Sequence, residues 1–228
     1  MTLVAISAAY GAGGSRVGPE LAGRLDVPFI DRGIPIAVAQ RLDVTVDEAI
    51  AQEDEGGAGR SLLERLLAGF AAADTAAPTP EMLTGEDFHS ASEAVVCELA
   101  ASGRGVILGR GAVAALREDP RVLRIRLTGP VEARIRLSMT LGQADEATAR
   151  AAQRRLDAAH AEYVRRFYGL DIDDPSLYHV IIDVPAIGIG AAIEISETTT
   201  RALGSARVSD AQPGEAQCNG SDTDDPTV

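Results

Sequence analysis

The chain has no lysine: its 21 basic residues are all arginine. It has no tryptophan, and aromatic residues make up only 4% of its 228 positions. So few rings exclude a base-stacking platform for single-stranded nucleic acid. Acidic residues outnumber basic ones, and the formal net charge is −13. A nucleic-acid-binding surface needs clustered basic charge, so that class is excluded as well. Only two cysteines are present, Cys97 in an apolar helical pattern and Cys218 in a polar stretch. They read as a buried thiol and an exposed thiol, not as a disulfide or a metal site. No apolar run approaches the roughly 20 residues that span a bilayer, and no charged n-region precedes one. There is no Ser-His-Asp, HExxH or CxxC arrangement, which sets aside hydrolase and metalloenzyme chemistry. These absences predict a soluble, cytoplasmic protein without membrane or nucleic-acid partners.

What is present is a globular balance of 46% hydrophobic and 24% charged residues. The length suits one domain with excursions. Five apolar runs suit strands buried on both faces: 3–8, 27–33, 105–111, 122–129 and 178–184. Between them, helical spacing covers 17–25, 34–42, 46–52, 60–74, 89–102, 131–141, 145–167 and 187–203. Strands alternating with helices predict an α/β fold with a parallel sheet and right-handed crossovers. From Gly204 the chain turns to Ser, Asp, Gly, Pro and Gln. A domain over 1–203 and a disordered acidic tail over 204–228 are expected.

The opening "VAISAAYGAGGSRVGPELAGRL" is a strand, a glycine-rich turn and a helix. Successive N–H groups of Gly11-Ala12-Gly13-Gly14-Ser15-Arg16 suit an anion-binding nest, to which the helix N-terminus adds its dipole. Compared with G-x-x-x-x-G-K-[ST], the first glycine falls on Ala8 or Ala9, depending on register. In the first register the lysine position holds Gly14 and the Ser/Thr position Ser15; in the second they hold Ser15 and Arg16. A plain glycine turn without a ligand is the alternative. Three glycines in four residues exceed what a tight turn needs, and Arg16 offers a forked cation in place of an ammonium group.

Asp31-Arg32-Gly33 and Gly109-Arg110-Gly111 follow the second and third strands. Ligands of open parallel sheets bind beyond the carboxyl ends of strands. Arg16, Asp31, Arg32 and Arg110 are therefore expected to face one crevice, where arginine binds phosphate through paired N–H groups. A surface salt bridge is the alternative for Arg110. Arg150, Arg154, Arg155, Arg165 and Arg166 share a helical region with Asp157 and His160. On composition alone this is a solvated helix with internal ion pairs. His89 and His179 show no ligand-like pairing.

These pieces, in this order, resemble the cytidylate kinase-like family over about residues 2–203. "AISAAYGAGGSRVGPELAGRLDVPFIDRGI" is similar to its strand, "YGSGG-R-IG" loop and "LA-LG-PF-D" segment. "VILGRGAVAALREDP" is similar to its "GRGA…L" element, and "DAAHAEYVRRFYGLDIDDPSLYHVIIDV" to its "D-x-x-R-x-x-Y…YDLVI" region. The resemblance implies a P-loop NTPase-like five-stranded parallel sheet with monophosphate-binding and lid helical segments. It implies ATP-dependent, Mg²⁺-assisted phosphoryl transfer to a nucleoside monophosphate, CMP or dCMP. Gly11, Ala12, Gly13, Gly14, Ser15 and Arg16 would hold the donor phosphates. Asp31, Arg32 and Arg110 would contact the acceptor. Arg16, Arg110, Arg154 and Asp157 would be catalytic, with Arg154 and Asp157 in the lid. His160 stands where the D-x-x-R pattern has arginine. That departure and the missing lysine keep open a nucleotide sensor without transfer activity. The insertion over 53–87 keeps open a kinase for another small acceptor.

Overall fold

The structure, a computed structural model, describes residues 2–30, 85–109, 111–142 and 145–209. The predicted helices at 34–42, 46–52 and 60–74 lie outside the described residues, as do Asp31, Arg32, Arg110 and 210–228.

Five parallel strands form one sheet: β1 (Thr2–Ala8), β2 (Phe29–Ile30), β3 (Arg104–Leu108), β4 (Val122–Thr128) and β5 (Val180–Asp183), in the order β2-β3-β1-β4-β5. β1 is central, with Val4 opposite Val106 on one side and Leu123 on the other. It is apolar along its length because helices cover both of its faces. The helices are α1 (Gly14–Leu25), α2 (Gly85–Ala101), α3 (Ala112–Ala115), α4 (Val131–Thr140), α5 (Glu146–Tyr168), α6 (Val184–Ile187) and α7 (Ile189–Ser209).

Alternation along β1 divides the core. Leu3 and Ala5 pack with Ile107, with Val96 and Ala100 of α2 and with Ala112 and Ala115 of α3. Val4 and Ile6 pack on the other face with Val17 and Leu21 of α1 and with Ala192 and Ile193 of α7. The chain runs from β1 outward through β2 and back to β3, then crosses β1 to reach β4. The two winding directions part at β1, and a crevice opens there beyond the strand ends.

Helix boundaries differ from expectation in places. α1 begins at Gly14, within the glycine run, since the helix needs only helical backbone there and its first N–H groups are unpaired in any case. α7 continues past Leu203 to Ser209. Cys97 is only partly buried on α2, where the sequence suggests a buried residue. α5 has the extent its caps dictate: the Asp145 side chain accepts from Thr148 N–H, and Gly169 closes the helix at φ 65°.

Candidate functional site

The glycine loop starts where β1 stops. Ala9 N–H donates to Leu127 O at 3.0 Å, which pins the strand end to β4, and Ala12 N–H donates back to Ala9 O at 3.0 Å. Gly11 and Gly13 both adopt φ 74°, a backbone region that favours glycine. Arg16 and Val17 N–H groups return to Gly13 O, so α1 begins in the loop itself. Gly11, Gly13 and Gly14 N–H groups have no backbone partner among the described residues. The result is a run of donors at a helix N-terminus, the arrangement that receives an anion.

Two glycines of the loop are glycine for want of space. A methyl group on Gly11 would overlap the carbonyl oxygen of Arg134 on α4. One on Gly14 would lie 2.7 Å from Ala8 Cβ and 3.2 Å from Leu108 Cδ1. The two departures from the lysine-bearing pattern therefore touch one another. The methyl group at Ala8 fills the space that the first carbon of a lysine at position 14 would need.

The expected loop residues Gly11, Ala12, Gly13, Gly14, Ser15 and Arg16 are together as the sequence predicts. Ser15 and Arg16 are exposed on the first turn of α1. The described part of the second strand-end motif is a pair of glycines, Gly109 at φ 73° and Gly111 at φ 66°. A small pocket opens between the ends of β1 and β3, lined by Ser7, Gly109, Gly111, His160 and Tyr178 with apolar residues of α3 and α5. His160 thus faces the crevice.

Asp157 does not point freely into this crevice. Its Oδ1 accepts from Tyr10 N–H at 2.8 Å, and its Oδ2 accepts from Gln153 Nε2 at 3.0 Å and pairs with Arg134 Nη1 at 2.9 Å. Arg154, expected beside it in function, is exposed on α5. Arg150 is taken up at the surface, held by Glu132 at 2.6 Å and Glu146 at 2.9 Å. Those carboxylates raise its pKa further, as expected of a solvated ion-pair network.

Sequence reasoning missed two buried arginines. Arg126 on β4 donates to Ser7 Oγ at 2.7 Å and to Asp173 Oδ1 at 3.1 Å, with its guanidinium over the Tyr178 ring. Arg134 donates to Tyr10 O at 2.6 Å and to Gly129 O at 2.9 Å. For Arg126 the available signal was "VLRIRLTG", where arginines alternate with buried apolar residues inside a strand.

A second polar cluster backs the crevice. Gly111 lacks a Cβ where one would meet the Tyr163 and Tyr168 rings at 2.9 and 3.0 Å. His89 of α2 lies beside them, its Nδ1 3.0 Å from Tyr163 Oη and its ring stacked on Phe167 at 4.1 Å. Burial lowers the His89 pKa from 6.5 to about 4. Burial raises that of Glu93, whose carboxylate is 3.7 Å from His89 Nε2.

The model of the cytidylate kinase-like family matches residues 3–186. The chain belongs to the cytidylate kinase-like family. Its fold is similar to that of an uncharacterized protein from Eubacterium ventriosum, at 16% identity and a TM-score of 0.60, covering 88% of this chain and 99% of that one. It is also similar to a gluconokinase from Sinorhizobium meliloti, at 15% identity and a TM-score of 0.50, covering 92% and 98%. No curated protein sequence matches it. This family member has a P-loop kinase-type fold: a five-stranded parallel sheet with helices on both faces and the glycine loop between β1 and α1. No described helix is long and apolar enough to cross a membrane.

Proposed function

We propose that this protein transfers a phosphoryl group from ATP to a nucleoside monophosphate, with CMP or dCMP the preferred acceptor. The observation that carries the reading is the loop: donors at Gly11, Gly13 and Gly14 without backbone partners among the described residues, at the start of α1, on the central strand of a kinase-type sheet. Family membership supports the choice of acceptor class. Phosphoryl transfer asks for alignment and charge stabilisation more than covalent chemistry, so a rigid nest with nearby guanidinium groups suits it.

The loop suits a phosphate chain, because the N–H groups of Gly11, Gly13 and Gly14 have no backbone partner among the described residues. Arg16 is exposed on its rim to meet the donor phosphates, and Arg110, after β3, would meet the acceptor phosphate with Asp31 and Arg32. Arg154 would neutralise charge from α5. No group of three or more carboxylate, histidine or cysteine ligands occurs among the described residues. Magnesium would be held mainly by phosphate oxygens and water, as this ion commonly is, with Ser15 the hydroxyl of the loop. When bound it would neutralise charge on the donor phosphates.

One observation favours a second reading. Gly14 at the lysine position and His160 at an arginine position both reduce fixed positive charge, which suits a nucleotide sensor that does not transfer phosphate. Coupled ADP release from ATP and Mg²⁺, with CMP, dCMP, UMP, AMP and GMP as acceptors, separates the two. Turnover that favours CMP or dCMP supports the kinase. Tight ATP binding with no turnover on any acceptor supports the sensor.

A further inference from the structure

Tyr10 is held at both polar ends of its backbone by residues from two different helices. Its N–H donates to Asp157 Oδ1 of α5 at 2.8 Å, and its carbonyl accepts from Arg134 Nη1 of α4 at 2.6 Å. The two holders are paired with each other at 2.9 Å. Gln153, one turn before Asp157, donates to the second carboxylate oxygen at 3.0 Å. Arg134 is 5% exposed, and its Nε is spent on Gly129 O at the end of β4. The next residue, Gly11, lies so close to the Arg134 carbonyl oxygen that no side chain fits there. Backbone and side chain of one α4 residue thus bear on two consecutive loop residues.

We infer that Arg134 and Asp157 are positioning residues that set the geometry of the phosphate loop and tie α5 to it. The pair touches the loop's entry peptide, upstream of the donors at Gly11, Gly13 and Gly14, and so acts on a bound anion through the loop. A glycine-rich nest has no side chains of its own to hold its shape. Its curvature must be imposed from outside, and charge-assisted hydrogen bonds to a loop peptide do this strongly. The same contacts fix the middle of α5 against the loop, so that the arginines of this helix sit at a set distance from the nest. The inference rests on the reading of the loop as a nucleotide site.

The test combines backbone hydrogen exchange with ATP binding on the full chain. Asp157→Ala removes the acceptor for Tyr10 N–H, the ion pair with Arg134 and the bond from Gln153. Asp157→Asn keeps an oxygen that accepts from Tyr10 N–H while losing the ion pair. Arg134→Lys keeps the charge but not the forked geometry, and guards against a truncation that does not fold. Tyr10 N–H exchanges about tenfold faster or more in Asp157→Ala, as expected for loss of a charge-assisted hydrogen bond. Asp157→Asn restores most of the protection. ATP dissociation constants rise on the order of tenfold in Asp157→Ala and in Arg134→Lys. Unchanged Tyr10 exchange in Asp157→Ala overturns the inference, as does faster exchange with unchanged ATP affinity. The exchange comparison needs no nucleotide. Wild-type protein that binds no ATP therefore counts against the proposed function, while the exchange result still decides whether the pair holds the loop.

Discussion

Replacing Gly14 by alanine places a methyl group 2.7 Å from Ala8 Cβ and 3.2 Å from Leu108 Cδ1. The first distance is well inside van der Waals contact, and the neighbour is the first carbon of a side chain with no freedom to swing away. Overpacking of this kind costs about 1–3 kcal/mol. A helical Gly→Ala change returns about 0.5–1 kcal/mol of backbone entropy at most. Gly14→Ala is thus expected to destabilise by about 1–2 kcal/mol. Ala8→Gly alone removes one methyl group, worth up to about 0.8 kcal/mol. The double variant moves the methyl group across the contact. Its cost is expected to fall below that of the two singles combined by about 1–3 kcal/mol. Urea unfolding of the four proteins measures this directly. If the two changes add within about 0.5 kcal/mol, the contact between the positions is not what keeps position 14 a glycine. The same reasoning extends to function. Gly14→Lys in the native background should not improve ATP binding, whereas Ala8→Gly with Gly14→Lys should accept the side chain and bind ATP more tightly.

Gly11 and Gly13 share φ 74°, but only Gly11 faces a blocking atom. Gly13→Ala should cost about 1–2 kcal/mol from its left-handed backbone alone. Gly11→Ala should cost about 1–3 kcal/mol more from overlap with Arg134; equal melting temperatures would contradict this. His89 has its pKa lowered from 6.5 to about 4 by burial, so the unfolded chain binds the proton more readily. Its contribution is complete above about pH 6.5 and is lost as the pH falls towards 4. The full shift corresponds to roughly 3 kcal/mol, and solvent screening reduces the expectation to about 1–2 kcal/mol. Glu93, with its pKa raised by burial, acts in the opposite sense over the acid range. His89→Gln should therefore flatten the loss of stability between pH 7 and pH 4 with Glu93 in place; an unchanged slope would refute the assignment. Arg110→Ala should raise the acceptor KM and lower kcat, and unchanged kinetics would displace the acceptor site from the end of β3.

The sheet was legible because each strand is an apolar run ending in glycine or a charged turn, and each such run is a strand of the structure. The loop was legible for the same reason: glycines directly after a buried strand have few other uses. Its inner boundary was not, because glycine is a poor helix former and hides the fact that Gly14 already belongs to α1. The short α3 also escaped, being shorter than the window in which periodicity can be seen. Asp157 was found as a residue, but its contact with Tyr10 was not. The two are 147 positions apart, and Arg134 lies 124 from Tyr10. Contacts at such range leave no periodic trace. An arginine in a strand or helix reads as exposed until its buried partners are known, which is why Arg126 and Arg134 were passed over while exposed Arg150 and Arg154 drew attention.

The most direct test of the account is whether a phosphoryl group moves. ATP, Mg²⁺ and CMP are incubated with wild-type protein and with Arg16→Ala, and the nucleotides are resolved by phosphorus NMR. The account predicts CDP and ADP in equal amounts with wild-type protein, and a large fall in rate with Arg16→Ala. ATP bound by the wild-type protein without any CDP, and without a diphosphate product from dCMP, UMP, AMP or GMP, would contradict it.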